Sequence, residues 1–244
     1  RPRSPGLLPG GARQTRGDEA ILTVQRLLAE GKIVAIKGLG GFHLACDAAS
    51  DAAVGLLRQR KGRVDKPFAL MCPDVATAET LCYVSQGERE LLESPQRPIV
   101  LLRRRPDAPV SSLVAPGNMN LGIMPAYTPL HHLLLQDWDR ETDWVAAKIG
   151  NRKSKIQNPV LVMTSGNYSE EPIAIDNQEA LDRLSSLADA FLLHDRPIYL
   201  RCDDSVTRLF AGKEMVLRRS RGYAPFPVRL PFNVEQILAV GGEL

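Results

Sequence analysis

Three short loops combine glycine with cationic or polar side chains at points where the sequence predicts strand ends. They are residues 37–43 (KGLGGFH), 60–63 (RKGR) and 164–167 (TSGN). Glycine lets a backbone turn sharply and approach a ligand closely, whereas Lys, Arg, Ser and Asn side chains donate hydrogen bonds to phosphate oxygens. The three loops therefore predict an anionic, phosphate-bearing substrate and an enzyme of nucleotide chemistry.

Lys61 and Arg63 lie two residues apart in the second loop, so both cations can face one ligand. Lysine supplies a point charge and arginine a bidentate fork for phosphate. The alternative interpretation is a solvated helix C-terminus, where cations also interact well with the helix dipole. Ser165 and Asn167 follow an apolar run and can donate to phosphate, although the same pair is common in ordinary turns.

Carboxylate and imidazole groups offer weaker signals. Asp203 and Asp204 could bind Mg²⁺, which prefers hard oxygen ligands and often bridges to phosphates, or could simply begin a helix or turn. His43 is the histidine best placed to touch a ligand, with a packed, hydrogen-bonded role as the alternative. His131 and His132 are adjacent on a predicted helix, so they cannot both face one metal.

The bulk composition fits an ordinary globular protein, with 44% apolar and 24% charged residues. The net charge of +3 is too small to indicate bulk nucleic-acid binding. Basic residues nevertheless cluster beside predicted strands, which favours either a shared anion site or a solubilising surface. The clusters are Arg58, Arg60, Lys61, Arg63 and Lys66; Arg103 to Arg105; and Arg218, Arg219 and Arg221.

The cysteine pattern predicts a reducing compartment, and the hydropathy pattern predicts neither export nor a membrane span. The four cysteines form no C-x-x-C pair, so we predict free thiols and no zinc site. No signal peptide and no stretch long enough to span a membrane is visible. The sequence therefore predicts a cytoplasmic protein.

Alternating helical and strand patterns predict an α/β fold with a mixed sheet. The Pro-, Gly- and Arg-rich residues 1–17 read as a leader or linker, residues 136–158 as a surface excursion, and residues 237–244 as the opening of another domain. Helix starts are predicted at Asp18, Ser50, Asp74, Ser85, Thr128 and Asp176. Strands are predicted at 33–36, 68–71, 99–102, 160–163, 191–193, 198–199 and 215–217.

Taken in order, several longer motifs resemble the YrdC-like domain of the HypF carbamoyltransferases, which mature [NiFe]-hydrogenases. The motifs are residues 35–48, 60–63, 66–71, 125–134, 163–167, 203–206 and 218–225. The resemblance implies a twisted mixed sheet flanked by helices, with a basic concave face. It also implies that residues 18–232 form an adenylate-forming domain and that residues 233–244 begin a truncated carbamoyl-transfer domain.

The resemblance further implies a reaction. In this family the domain uses ATP with Mg²⁺ and carbamate, derived from carbamoyl phosphate, to make carbamoyl-adenylate and pyrophosphate. The remaining HypF domains then transfer the carbamoyl group to the C-terminal cysteine of HypE. By the same resemblance, Lys61 and Arg63 are the catalytic pair that holds the ATP phosphates. The full nucleotide-binding set is Lys37, Gly40, Gly41, His43, Lys61, Arg63, Thr164, Ser165, Asn167, Arg219 and Arg221.

Two alternatives stay open. Standalone YrdC-like enzymes make threonylcarbamoyl-adenylate for tRNA modification, but they carry a Thr- and Tyr-rich turn where this chain has residues 37–42, which favours the smaller carbamate. An RNA-binding module is the other alternative. An aromatic content of only 5% provides no stacking platform, so RNA is an unlikely partner.

Overall fold

A single mixed β-sheet organises the chain. The computed structural model describes residues 6–8, 15–136, 159–168, 171–233 and 235. Within them, the strands are β1 (Gly6–Leu8), β2 (Val34–Lys37), β3 (Phe42–Asp47), β4 (Ala69–Cys72), β5 (Ile99–Arg103), β6 (Asn120–Pro125), β7 (Leu161–Ser165), β8 (Ala190–Leu193), β9 (Val206–Phe210) and β10 (Lys213–Arg218). The helices are α1 (Asp18–Ala29), α2 (Asp51–Lys61), α3 (Val75–Leu81), α4 (Gln86–Glu93), α5 (Pro129–Leu135) and α6 (Asn177–Leu184).

The strand order is β1-β8-β2-β3-β7-β4-β6-β5-β9-β10. The pairs β2–β8, β4–β6 and β5–β9 are parallel and the other neighbours are antiparallel, which confirms the predicted α/β fold with a mixed sheet. The register of β3 and β7 places His43 directly opposite Ser165. The sheet therefore brings the first and third of the predicted glycine loops together.

Helices cover both faces of the sheet and create two apolar layers. Leu57 of α2 and Leu184 of α6 pack with Phe42 and Leu70 on one face, together with α3 and α4. The other face receives α1 and α5. Because side chains alternate along a strand, successive residues of β3 and β7 point to opposite layers. None of the described helices is long and apolar enough to cross a membrane.

The helix starts follow local chemistry, as predicted. Each capping side chain accepts a hydrogen bond from a backbone N–H in the first turn of its helix, which satisfies a donor that the helix cannot. The caps are Ser50, Asp74, Ser85, Thr128 and Asp176. Asp18 is the exception, because it is the first residue of α1 and Gly17 is the cap.

One predicted strand is wrong, and four strands were missed. The strand predicted at 198–199 does not form, and Tyr199 is 93% exposed with no neighbouring strand. Strands β3, β6 and β9 were not predicted, and Gly6–Leu8, within the predicted leader, pairs with β8. The predicted excursion from 137 onward and the predicted domain start at 237–244 lie outside the described residues.

Candidate nucleotide-binding site

Lys61 is the last residue of α2, and its side chain lies at the end of β7. Gly62 ends the helix in the left-handed conformation, with φ of 60°. The Lys61 ammonium donates to the carbonyl oxygens of Ser165 and Asn167, each at 2.7 Å, and makes a longer contact of 3.4 Å to Asn167 Oδ1. All of these acceptors are neutral, so none of them compensates the charge of the ammonium.

Arg63 lies beside Lys61 and reaches the same strand end. Its Nη1 donates to Thr164 Oγ1 at 3.2 Å, and its Nη2 donates to the carbonyl oxygen of Pro67 at 2.6 Å. The guanidinium also stacks 4.9 Å from the ring centroid of Phe68. Five of the predicted nucleotide-binding residues are thus in one place: Lys61, Arg63, Thr164, Ser165 and Asn167.

The charges of this group are uncompensated. Across the described residues, neither Lys61 nor Arg63 forms an ion pair with a carboxylate, and Lys61 is only 4% exposed. Burial, followed by the charges of Arg63 and Lys66, lowers the pKa of Lys61 to about 7. Burial, followed by Arg58 and Arg218, lowers the pKa of Arg63 to about 10. An anion bound here would relieve the repulsion among these cations.

The loop after β7 is tied to β3 and to itself. Ser165 Oγ donates to Asn167 Oδ1 at 2.7 Å, and Asn167 Nδ2 donates to the carbonyl oxygen of Glu171 at 2.5 Å. The Gly166 N–H donates to the carbonyl oxygen of Phe42 at 2.7 Å. Asn167 is not in the left-handed region, unlike the Asn of the ordinary turn considered as an alternative. Its amide is instead part of the network that receives Lys61.

The glycines of the first loop are explained by packing of the chain against itself. A Cβ on Gly40 would lie 2.3 Å from the carbonyl oxygen of Cys202, and one on Gly41 would lie 2.2 Å from Ile173 Cγ2. Neither glycine has a positive φ. Close approach therefore accounts for both, as the sequence indicated, but the approaching groups shown are the protein's own. A contact of Gly40 and Gly41 with nucleotide stays a prediction.

Lys37, at the start of the first loop, is directed elsewhere. Its Nζ donates to the carbonyl oxygen of His194 at 3.1 Å, at the end of β8, and the side chain is 4% exposed. Burial lowers its pKa, against the opposing influence of Asp176 and Asp195. The observed contacts do not join Lys37 to Lys61, and its role at a nucleotide stays a prediction.

A second polar cluster centres on Asp204. Its Oδ2 lies 3.0 Å from His43 Nε2, and its Oδ1 accepts from Arg221 Nε at 2.7 Å and from the Tyr127 hydroxyl at 3.2 Å. The Arg221 guanidinium sits 3.7 Å from the Tyr127 ring centroid. Burial would raise the pKa of Asp204, but His43 and Arg221 hold it well below its usual range. His43 is therefore packed and hydrogen-bonded through Nε2, which was one of the two alternatives, and a contact of His43 with a nucleotide stays a prediction.

These contacts bear on two predicted roles. Arg221 Nη1 donates to the carbonyl oxygen of Gln96 at 3.0 Å and Nη2 to that of Arg97 at 2.8 Å, so Arg221 joins distant segments of the chain. Its contact with a nucleotide stays a prediction. Both oxygens of Asp204 are taken, and the described residues contain no group of three or more His, Cys, Asp or Glu side chains placed to hold a metal. Magnesium contacts at Asp204, whose carboxylate already has these protein partners, and at the exposed Asp203 stay predictions.

Arg219 belongs to neither group. Its Nη2 donates to the carbonyl oxygens of Tyr223 and Phe226, within its own exposed turn. Sequence reasoning missed Phe68 and Tyr127, the aromatic rings on which Arg63 and Arg221 stack. Both lie in motifs that carried the family resemblance, at 66–71 and 125–134, and this was the only signal that pointed to them.

Comparison with known proteins identifies the family of this chain. Residues 26–220 match the family model of the Sua5, YciO and YrdC proteins, described as "Telomere recombination". The matched region contains all five residues of the Lys61 group, which are Lys61, Arg63, Thr164, Ser165 and Asn167.

Curated relatives include HypF carbamoyltransferases. The chain is 47% identical over 216 residues to "Carbamoyltransferase HypF" of Synechocystis sp., which covers 88% of the chain and 26% of that protein. It is 47% identical over 228 residues to "Carbamoyltransferase HypF2" of Cupriavidus necator, covering 90% of the chain and 27% of that protein. The chain thus spans about a quarter of the length of the curated relatives it matches.

Solved structures of HypF proteins share the fold of this chain. Full-length HypF in a phosphate- and nucleotide-bound form superposes with a TM-score of 0.80 at 44% identity, covering 95% of this chain and 27% of that one. HypF of T. kodakarensis gives 0.82 at 40% identity, covering 95% and 28%. Sua5 of P. abyssi complexed with L-threonine shares the fold, with a TM-score of 0.67 at 16% identity, covering 84% and 55%. The chain belongs to the Sua5/YciO/YrdC family, and within it resembles the corresponding part of the HypF carbamoyltransferases.

Proposed function

We propose that this chain forms carbamoyl-adenylate and pyrophosphate from ATP and carbamate, as the adenylate-forming part of HypF-type carbamoyl transfer. The observation that carries the proposal is the pair of Lys61, which is buried, and Arg63, which is half-buried, at the end of β7. Both donate to neutral acceptors, and neither has a carboxylate partner among the described residues. Such a pair is suited to a polyphosphate, which supplies the missing negative charge.

The proposed reaction needs no nucleophilic side chain from the protein. A carbamate oxygen attacks the α-phosphorus of ATP, the bond from that phosphorus to the bridging oxygen breaks, and pyrophosphate leaves with the electron pair. The catalytic requirement is alignment of the two reactants and stabilisation of the charge that develops on the phosphate oxygens. Lys61 and Arg63 supply that charge, while Thr164, Ser165 and Asn167 position the nucleotide.

The HypF relatives support this choice over other nucleotide reactions. One HypF structure that is 44% identical to the chain is described as phosphate- and nucleotide-bound. The carbamoyltransferase name belongs to proteins of which the chain spans about a quarter. In our proposal carbamoyl phosphate supplies the carbamate, and the remaining HypF domains pass the activated carbamoyl group onward to HypE.

Pyrophosphate release is the direct test. The chain would be incubated with ATP, Mg²⁺, bicarbonate and ammonium, with and without threonine. Release that needs only bicarbonate and ammonium is the expected result. Release that requires threonine would instead assign the chain to threonylcarbamoyl-adenylate synthesis.

Substitution at the site tests the residue assignment. Charge-assisted hydrogen bonds contribute about 1.5–3 kcal/mol each, so we expect Lys61→Ala and Arg63→Ala each to weaken ATP binding by about tenfold to a hundredfold. Lys213→Ala and Arg208→Ala remove the same charges from exposed positions on β10 and β9 and serve as matched controls. Unchanged ATP affinity in both site variants would show that the nucleotide binds elsewhere.

A further inference from the structure

Arg58 is a buried arginine that contacts no carboxylate within the described part of the chain. It lies on α2, one turn before Lys61, and is 8% exposed. Its five N–H groups match five backbone carbonyl oxygens, those of Arg63, Val64, Lys66, Leu113 and Val114. Since a guanidinium has five donors and no acceptor, Arg58 has no N–H left for a ligand.

Three of these carbonyls belong to the loop from residue 62 to residue 67, which carries Arg63 out of α2 and into β4. The bonds from Nη1 to Arg63 and Val64 are 3.0 and 2.9 Å long, and the bond from Nη2 to Lys66 is 3.3 Å. The remaining two carbonyls belong to the short 3-10 turn at Ser112–Val114. Arg58 therefore joins the loop to a separate segment of the chain.

The loop has little other support in its middle. Val64 is 79% exposed and Asp65 is also exposed, so apolar packing does not fix them. The Arg63 N–H donates to the carbonyl oxygen of Arg58. After that residue, the loop carbonyls accept hydrogen bonds from two side chains. Arg58 donates to Val64 and Lys66, and Arg63 donates to Lys66 and Pro67. Both guanidinium groups stack on the ring of Phe68, at 4.8 and 4.9 Å from its centroid.

We propose that Arg58 is a positioning residue for the nucleotide site: it holds the carbonyl side of the 62–67 loop and thereby fixes Arg63, beside Lys61, in the orientation that receives phosphate. It does so without touching the ligand. The sequence grouped Arg58 with the candidate anion-binding cations, and the structure separates it from them. The inference rests on the proposed nucleotide site.

Arg58→Lys is the most informative variant because it keeps the charge. Three ammonium donors cannot satisfy five carbonyls spread over two segments, so the loop loses part of its support. We expect ATP affinity to fall by about tenfold or more, and amide exchange to rise within residues 62–67. ATP affinity equal to that of the unchanged chain would overturn the inference.

A matched control separates positioning from general loss of stability. Leu57→Ala removes a fully buried side chain from the neighbouring position of α2 but leaves the Arg58 bonds in place. Measured at a temperature where both variants are folded, Leu57→Ala should bind ATP as the unchanged chain does. An equal loss of affinity in Leu57→Ala would mean that any weakening of α2 suffices, which contradicts a specific role for Arg58.

Chemical rescue provides a second readout. Arg58→Ala leaves a space lined by the five carbonyls, and added ethylguanidinium should restore ATP affinity there but not in Arg63→Ala or Leu57→Ala. Absence of rescue, like normal affinity in Arg58→Lys, would reject the role of Arg58 while leaving the nucleotide site in place. Normal ATP binding in Lys61→Ala and Arg63→Ala would instead reject the nucleotide site itself, so the two failures are distinguishable.

Discussion

The Lys61 group and the Asp204 cluster contain similar side chains and use them in opposite ways. Lys61 and Arg63 donate to neutral acceptors and have no carboxylate partner within the described residues, so their charges stay available to an anion. Arg221 forms an ion pair with the carboxylate of Asp204, which compensates its charge, and His43 shares a hydrogen bond with the same carboxylate. The contrast shows that a basic motif is understood only when the partner of each cation is known.

The largest effect on this contrast is expected from Asp204→Ala. Removal of one member of a buried ion pair leaves the other charge unpaired and costs about 3–5 kcal/mol of unfolding free energy. The side chain of Asp204 is only 11% exposed, and Arg221 would lose its counterion. Urea denaturation measures the loss, and Asp203→Ala, at an exposed neighbouring position, is the control. Equal midpoints for the two variants would contradict the contrast.

Titration of Lys61 should affect stability and nucleotide binding in opposite directions. The lysine titrates near 10.5 when unfolded and near 7 when folded, so between these pH values the unfolded chain binds more protons. The contribution of Lys61 to stability therefore rises with pH through that window. ATP affinity should fall over the same window as the ammonium is lost, by at most about tenfold per pH unit.

Calorimetry in buffers of different ionisation enthalpy measures how many protons are taken up when ATP binds, and so tests the titration of Lys61. At a pH above 7, ATP binding should take up a proton, because phosphate favours the charged amine. Lys61→Arg should abolish this uptake, since arginine stays charged throughout. Proton uptake that persists in Lys61→Arg would assign the titration to another group.

Gly40→Ala tests whether the first loop is shaped by the chain itself. The added Cβ would lie 2.3 Å from the carbonyl oxygen of Cys202, two residues before Asp204, so we expect a loss of about 1–3 kcal/mol. Gly55→Ala is a control of opposite sign, since its Cβ would lie 3.5 Å from Leu113 Cδ1 and alanine favours the helix. Thermal unfolding separates the two variants, and a stable Gly40→Ala would show that Cys202 moves away without cost.

Tyr127→Phe should give the smallest effect. It removes the 3.2 Å hydrogen bond to Asp204 but keeps the ring beneath Arg221, so a loss of about 1 kcal/mol is expected. Tyr199→Phe, at a position that is 93% exposed, should leave the unfolding free energy unchanged. A loss at Tyr127 as large as that of Asp204→Ala would mean that the hydroxyl, and not the ion pair, stabilises the cluster.

The features that the sequence predicted well are those whose causes are close in the chain. Ser85 and Asp176 cap their helices through groups two or three residues away, so a short motif contains the whole interaction. The roles of the arginines depend on partners far away. Arg221 bonds to Asp204 across 17 residues and to Gln96 across 125, and no local pattern shows either contact.

The missed strands have the same explanation. β6 contains Gly122 and ends at Pro125, two residues that disfavour strands. Gly122 is required because a Cβ would lie 2.9 Å from Ile99 Cγ2, in a neighbouring strand that the sequence does not reveal as a neighbour. Conversely, Ile198 and Tyr199 have good strand propensity, but no strand among the described residues lies beside them. Tertiary packing decided both cases against local preference.

The insertion of β8 between β1 and β2 has a consequence for biosynthesis. The Ile33 N–H bonds to Asp189, which precedes β8, across 156 residues, and β5 likewise waits for β9 to gain its outer neighbour. In a nascent chain β2 can pair with β3 and β5 with β6, but the other edge of β2 and of β5 stays unpaired until β8 and β9 are translated. Such edges are sites of aggregation, and non-local pairing makes folding slow. Completion of the sheet must therefore wait until β8 and β9 have been translated, and chains truncated before β8 should be caught by chaperones or aggregate.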